Sequence, residues 1–110
     1  DVGSYYRLAD VFLSPSREEG FCYSLIEAVY CQTPVLASAI DAQKDLLLPQ
    51  ESFFAPNDRA ALAQAIRRTL NEPDSSARSE ALALVKRRVT ETYSLAVWAD
   101  TVSKVYSELL

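Results

Sequence analysis

The sequence predicts an α/β fold: a small parallel sheet covered by helices, followed by a run of further helices. Three observations predict it. Short apolar segments alternate with stretches of helical spacing in the first half of the chain. Those segments are apolar at every position, as strands buried on both faces must be. The second half carries helical stripes and no strand pattern.

Taken in order, Tyr5, Tyr6, Leu8 and Ala9 suggest a short helix or turn before Asp10. Val11-Phe12-Leu13 is a short apolar run closed by Ser14-Pro15-Ser16, which reads as a buried strand entering a loop. After Arg17-Glu18-Glu19-Gly20, a helix fits Tyr23 to Cys31, with Leu25, Ile26, Val29 and Tyr30 at helical spacing. Pro34-Val35-Leu36-Ala37 is a second strand, with proline at its first residue, where no ladder donor is needed. Two such strands joined by one helix make a βαβ unit with parallel strands and a right-handed crossover. Ile40 to Leu48 reads as a loop and a helical turn closed by Pro49, and Ser52 to Ala55 as a third strand. Asp58 caps an amphipathic helix with Leu62, Ala65, Ile66, Thr69 and Leu70 on one face, stopped by Pro73. Asn71 to Ser76 is the one linker-like segment. A helix from about Ser76 to Thr92 turns Leu82, Val85 and Val89 inward. The last starts at Ser94 and carries a stripe of Leu95, Trp98, Val102, Val105, Tyr106 and Leu109. Three strands are few for a sheet of this kind, so neighbouring strands are expected on the N-terminal side.

Composition narrows the function. The 110 residues are 49% hydrophobic and 24% charged, which suits one small globular domain with a modest core. Net charge is -4 and no basic stripe is present, so nucleic acid is not an expected partner. No apolar run reaches membrane-spanning length, and the opening DVGSYYRLAD has no signal-peptide pattern. Cys22 and Cys31 stand nine residues apart, no zinc or redox spacing. They read as buried thiols of a reduced, cytoplasmic protein. The chain has no histidine, which excludes within it a Ser-His-Asp triad, a Cys-His pair and a histidine metal site. It opens without methionine, and the expectation is a fragment of a longer protein.

The chemistry concentrates in SREEGFCYSLIEA, Ser16 to Ala28. In open α/β sheets, ligands bind beyond the carboxyl ends of the strands. Gly20 lets the backbone turn and approach a ligand. The helix after it offers unpaired amides and a partial positive charge, suited to a phosphate, with Tyr23 and Ser24 the best donors. A carboxylate at Glu19 can hold sugar hydroxyls or stabilise positive charge at an anomeric carbon. Glu27 can accept both hydroxyls of a ribose. Other readings stand beside these. Ser24-Leu25-Ile26-Glu27 is formally a capping box. Glu18 and Glu19 can be solvated loop charges, and Tyr23 and Tyr30 core or rim aromatics. Arg17 can pair with Glu18 or reach a phosphate. The functional reading requires Glu19 and Glu27 to face a common hollow at the sheet's carboxyl rim.

Asp10 to Ser16, Glu19-Gly20-Phe21, Ile26-Glu27-Ala28 and Thr33 to Ser38 together resemble the donor-binding half of family 4 glycosyltransferases. Glu19 and Glu27, with seven residues between them, match that family's paired glutamates. Phe53 to Asp58 with its helix resembles the family's strand, short acidic loop and helix, and the final helix with Tyr93, Ser94 and Trp98 its closing helices. The resemblance implies a partial Rossmann-like, three-layer half of a GT-B fold and a retaining transfer of a hexose from a nucleotide-diphosphate sugar to a glycan, lipid or other acceptor. It implies that Glu19 faces the transferred sugar as nucleophile or charge stabiliser. Amides around Gly20, Phe21, Cys22, Tyr23 and Ser24 contact sugar and diphosphate, and Glu27 holds the ribose. It implies no cofactor and no metal.

Two positions depart from the family. Cys22 replaces a usual glycine, where a side chain would narrow the donor site. Gln32 replaces another, at a helix end that favours glycine. The family's phosphate-binding Arg and Lys pair and its acceptor domain are expected upstream of Asp1, so the isolated chain is expected to be inactive. Cytoplasmic location is expected, with any approach to the cytoplasmic face of a membrane made through the missing domain. The rivals are a non-catalytic association or regulatory module, and a sugar-nucleotide epimerase of the same fold, which usually needs histidine. The stripe on the last helix either finishes the local core or lets the fragment associate with itself.

Overall fold

The computed structural model describes residues 1–72 and 75–109. Helix α1 (Val2–Leu8) is capped by Asp1, whose carboxylate accepts from the Gly3 amide. Strand β1 (Phe12–Ser14) leads to helix α2 (Tyr23–Tyr30), strand β2 (Val35–Ser38) and the single turn α3 (Asp41–Lys44). A 3₁₀ turn (Gln50–Ser52) precedes strand β3 (Phe53–Phe54); helices α4 (Arg59–Asn71), α5 (Ser76–Tyr93) and α6 (Leu95–Leu109) complete the chain. The expected stop at Pro73 lies outside the described residues, as does part of the expected linker.

The three strands are parallel in the order β1-β2-β3. Phe12 pairs with Val35 and Ser14 with Ala37; Ala37 pairs in turn with Phe53 and Ser38 with Phe54. Successive side chains of a strand point to opposite faces, and β2 is buried along its whole length. Val35 and Ala37 meet Leu25, Ala28 and Val29 of α2 and Leu82, Val85 and Val89 of α5. Leu36 faces the other way, into Phe54 and Ala65 of α4. The result is a helix–sheet–helix sandwich, which explains why the strands carry no alternation of polarity.

Among the described residues, three that bear side chains hold turns in the left-handed region: Gln32 at φ 60°, Leu47 at 53° and Asn57 at 64°. At Gln32 the helix keeps the ending that favours glycine. The Thr33 amide bonds the Ala28 carbonyl at 3.0 Å and the Gln32 amide bonds Val29 at 2.9 Å, the two closures of a Schellman ending. The turn is kept and glutamine bears its conformational cost. Gln32→Gly is therefore expected to stabilise the chain by about 1 kcal/mol, read as a higher urea midpoint at unchanged slope.

One packing expectation is corrected, at Leu70, and the open question of the last helix is decided in favour of an exposed stripe. Leu70 is 47% exposed, because only Ala65 and Thr69 of α4 reach full burial. No residue of α6 is buried, and Trp98 and Leu109 are 62% and 76% exposed. The last helix packs chiefly against α5 and leaves its apolar stripe open. Extents of 55 × 27 × 26 Å reflect this elongation. No helix among the described residues is long and apolar enough to cross a membrane.

Candidate functional site at the carboxyl rim of the sheet

β1 and β2 end at Ser14 and Ser38, and both serines are buried at the sheet's carboxyl rim. The chain leaves β1 through Pro15 and carries Arg17, Glu18, Glu19 and Gly20 over this rim as exposed residues. Glu19 keeps one local partner: the Ser16 hydroxyl donates to its Oε1 at 2.6 Å. Glu19 lines a shallow hollow of about 360 Å³ with Arg17, Glu18, Ile40, Asp41 and Ala42. Arg17 makes no ion pair with Glu18 among the described residues. It lies between that hollow and a smaller one lined by Asn57, Asp58 and Arg59.

Gly20 does not use a left-handed φ, so the turn itself does not demand glycine. A Cβ built there meets nothing within 4 Å. The space beside Gly20 is open, and a side chain there would meet no obstacle.

Helix α2 begins without a side-chain cap, at Cys22 with φ -85° and ψ 64°. Those angles make an inverse γ-turn, in which the Tyr23 amide bonds back to the Phe21 carbonyl at 3.0 Å. Tyr23 is thus not the free donor expected of it. Among the described residues the Ser24 and Leu25 amides have no protein partner. Ser24 is exposed and presents the helix's positive end, whereas Leu25 is fully buried and its amide is closed off from solvent. Phe21 stacks edge-on with Tyr23 at 4.7 Å and with Tyr93 at 5.2 Å, walling a hollow of about 590 Å³ with Trp98 and Thr101.

The Cys22 side chain is 4% exposed and belongs to the core, so the narrowing expected of a side chain there does not arise. Burial pushes its thiol up, and the Glu19 charge adds to this while Gln43 opposes it.

Glu27 lies five residues into α2, about 7 Å along its axis from the start. The capping-box reading fails, because the helix begins at Tyr23 and places Ser24 inside it. Instead, Glu27 Oε2 accepts from the Tyr6 hydroxyl of α1 at 3.0 Å. It lines a hollow of about 690 Å³ between α1, α2 and α5, together with Tyr6, Arg7, Tyr30, Lys86 and Tyr93. Lys86 Nζ sits 4.6 Å from the centre of the Tyr30 ring, making Tyr30 a rim aromatic. Glu19 and Glu27 therefore line separate hollows, and the expected common hollow is corrected.

Burial first, then the Glu27 hydrogen bond and charge, push the Tyr6 hydroxyl above its ordinary 10.0. A group raised in the folded state stabilises it while protonated. This contribution is whole below pH 10 and is lost as pH rises through the raised value. The urea midpoint is expected to fall in that alkaline window, and Tyr6→Phe to remove this component of the fall.

Sequence reading missed Tyr6, Ser16, Ser38 and Gln43. The Ser16–Glu19 contact carries a readable signal, the S-x-x-E spacing, which recurs at Ser24–Glu27 where no such contact forms. Gln43 and Ser38 carry none, since their partners are 29 and 24 or 22 residues away. No group of three or more potential metal ligands forms among the described residues.

The profile of the family described as "Glycosyl transferases group 1" matches residues 1–84. Over its whole length the chain is 32% identical to the lipopolysaccharide core biosynthesis mannosyltransferase LpcC of Rhizobium leguminosarum bv. viciae, of which it spans 31%. It is 32% identical over 108 residues to the D-inositol 3-phosphate glycosyltransferase of Geodermatophilus obscurus, covering 96% of this chain and 23% of that protein. Among solved structures, sucrose-phosphate synthase from Thermosynechococcus elongatus superposes with a TM-score of 0.80 at 34% identity, over 96% of this chain and 26% of the other. The chain thus spans about a third or less of each of these relatives. The chain belongs to the glycosyl transferases group 1 family, and its fold is that of the C-terminal part of a GT-B glycosyltransferase.

Proposed function

We propose that the chain is the donor-binding subdomain of a family 4 retaining glycosyltransferase, and that the whole enzyme moves a hexose from a nucleotide-diphosphate sugar to a glycan, lipid or other acceptor. The observation that carries this reading is the uncapped start of α2, whose exposed Ser24 amide has no protein partner among the described residues, following by five residues an exposed glutamate that lines an open hollow at the carboxyl rim. Amides at a helix start favour a diphosphate. Glu19 stands on the sugar side, where a carboxylate stabilises charge at the anomeric carbon. Glu27 stands further along the helix, for the ribose. The two acids line separate hollows, which counts against a shared cradle for one ligand, so the reading leans on the family match and on the exposed glutamate at the rim. The reading needs no metal, because the helix end and basic residues of the missing part offset the leaving group's charge. Alone, the chain is an open half-cleft that neither excludes water nor holds an acceptor, and it is expected to be inactive.

Side chains at Cys22 and Gln32, where the family usually has glycine, are what would favour a non-catalytic association or regulatory module. The Cys22 side chain is buried in the core, and the Schellman bonds at Gln32, at the far end of α2 from the rim, are intact, so neither departure distorts the helix.

The test is a nucleotide-sugar panel on the complete protein, followed by the free nucleotide of the donor that turns over. Glu27→Ala is expected to weaken nucleotide binding about 10- to 100-fold, the worth of hydrogen bonds to a charged acceptor. Tyr6→Phe serves as the control for a mere tether to α1. An unchanged dissociation constant in Glu27→Ala, with stability lowered as much as in Tyr6→Phe, would give Glu27 a structural role only.

A further inference from the structure

Beneath the loop that carries Glu19 lies a polar layer that the reading above does not use. Ser38, at the end of β2, is fully buried, and its hydroxyl reaches the Ser14 carbonyl at 3.0 Å and the Ser16 carbonyl at 2.7 Å. Its single proton is shared between the two, with the shorter contact to Ser16. Gln43 of α3 is also fully buried, and its Nε2 donates to the Ser14 hydroxyl. Ser16 then donates outward to Glu19. The contacts run from the core to the exposed carboxylate without a gap: Gln43 to Ser14, Ser38 to Ser14 and Ser16, Ser16 to Glu19.

The layer has an energetic oddity. Gln43 Oε1 is buried and has no partner among the described residues. An unsatisfied buried acceptor costs about 1–3 kcal/mol. A leucine in this apolar core would avoid that cost at similar volume. A fold that keeps a locally unfavourable polar group does so most often where geometry matters more than stability.

We propose that Ser16 and Ser38 are positioning residues for Glu19, anchored from below by Gln43. They hold the loop from Ser14 to Gly20 against the sheet so that the Glu19 carboxylate keeps one orientation at the rim. The proposal rests on the donor-site reading for its catalytic meaning and on the geometry alone for the ordering of the loop. Ser38 fixes the backbone of Ser16, and Ser16 fixes the carboxylate. Without them Glu19 is an exposed side chain on a loop, free to sample its rotamers. A displacement of about 1 Å at a reacting group is enough to cost up to 100-fold in rate.

Two measurements test this, and they fail separately. The first is NMR relaxation on this chain, without a donor. The amides of residues 16–20 are expected to behave as rigid backbone, with order parameters near ~0.85, and to fall below about 0.6 in Ser38→Ala. Ser38→Cys retains a weak donor and guards against a variant that fails to fold. In Gln43→Leu the loop is expected to loosen while the melting temperature holds or rises. Unchanged order parameters in all three variants overturn the proposal. The second is steady-state transfer by the complete enzyme with GDP-mannose as donor probe. Ser16→Ala is expected to lower kcat about tenfold at unchanged donor KM, and Ser16→Thr to restore it. Equal loss in Ser16→Ala and Ser16→Thr, or a loss confined to KM, also overturns the proposal. A loop that loosens as expected in an enzyme indifferent to Glu19 itself would instead sink the catalytic reading and leave the ordering role standing.

Discussion

Glu19→Ala is expected to cut sugar transfer by the complete enzyme on the order of 1000-fold, with no loss of folding. The carboxylate is exposed and, among the described residues, its one hydrogen-bond partner is the neighbouring Ser16, so its removal exposes no core and orphans no buried group. Surface changes of this kind stay within about 0.5 kcal/mol, and the melting temperature should hold. Preorganised charge facing a transition state is another matter. Removing one such group typically costs about 100- to 1000-fold, and a group facing the anomeric carbon belongs at the upper end. Glu19→Gln separates charge from shape: it keeps the bulk and an acceptor for Ser16 but loses the charge, and is expected to behave like the alanine. Near-normal turnover in both variants would remove Glu19 from the chemistry and leave the solvated-loop reading. The measurement to make is kcat with the donor saturating, beside thermal unfolding of the same samples.

How much of this was legible in the sequence depends on the range over which each feature is encoded. The βαβ unit is written locally. The proline-closed run at Val11 to Pro15, the helical spacing of Leu25 and Val29 and the apolar run at Val35 each state their element within a few residues, and the strands fall within one residue of expectation. Asp58 as a cap is legible for the same reason, since it bonds the Ala61 amide three residues on. Helix α5 turns its three expected residues inward because their spacing defines a face. The stripe of α6 is as clear in sequence, yet none of it is buried. Periodicity says which face is apolar and not what covers it. The pair of acids shows the same divide. Their spacing is plain, but their surroundings depend on α1, which brings Tyr6 to Glu27 from 21 residues away. A resemblance in motif could place both acids on one ligand without revealing that each lines its own hollow. The γ-turn at Cys22, which removes the Tyr23 amide from service, was illegible because it is set by backbone angles that most residues can adopt.

Leu25→Ala tests the other half of the argument, that the rim is only as well placed as the helix beneath it. Leu25 is fully buried, among the largest side chains so enclosed, and is the third residue of α2, between the free Ser24 amide and Glu27. It packs in the cluster that joins α2 to β2 and α5. Truncation removes its apolar contacts and leaves a cavity that a close-packed core closes only in part, at a cost of about 3–5 kcal/mol. A small domain has about 5–15 kcal/mol in all, and this one leaves α6 nearly unpacked, so the loss takes a large share. The melting temperature is expected to fall by more than ~10 °C. Leu25→Met, which conserves volume, should cost under about 1.5 kcal/mol. The functional consequence differs in kind from that of Glu19→Ala. At a temperature where the Leu25→Ala variant remains folded, kcat should be largely kept while nucleotide binding weakens, because the helix start that offers the Ser24 amide loses its backing. A variant that melts as wild type would show the α2–α5 interface to be looser than its burial implies. A variant that melts early but binds nucleotide unchanged would uncouple the Ser24 amide from the packing beneath it, and with it the placement of the diphosphate at this helix end.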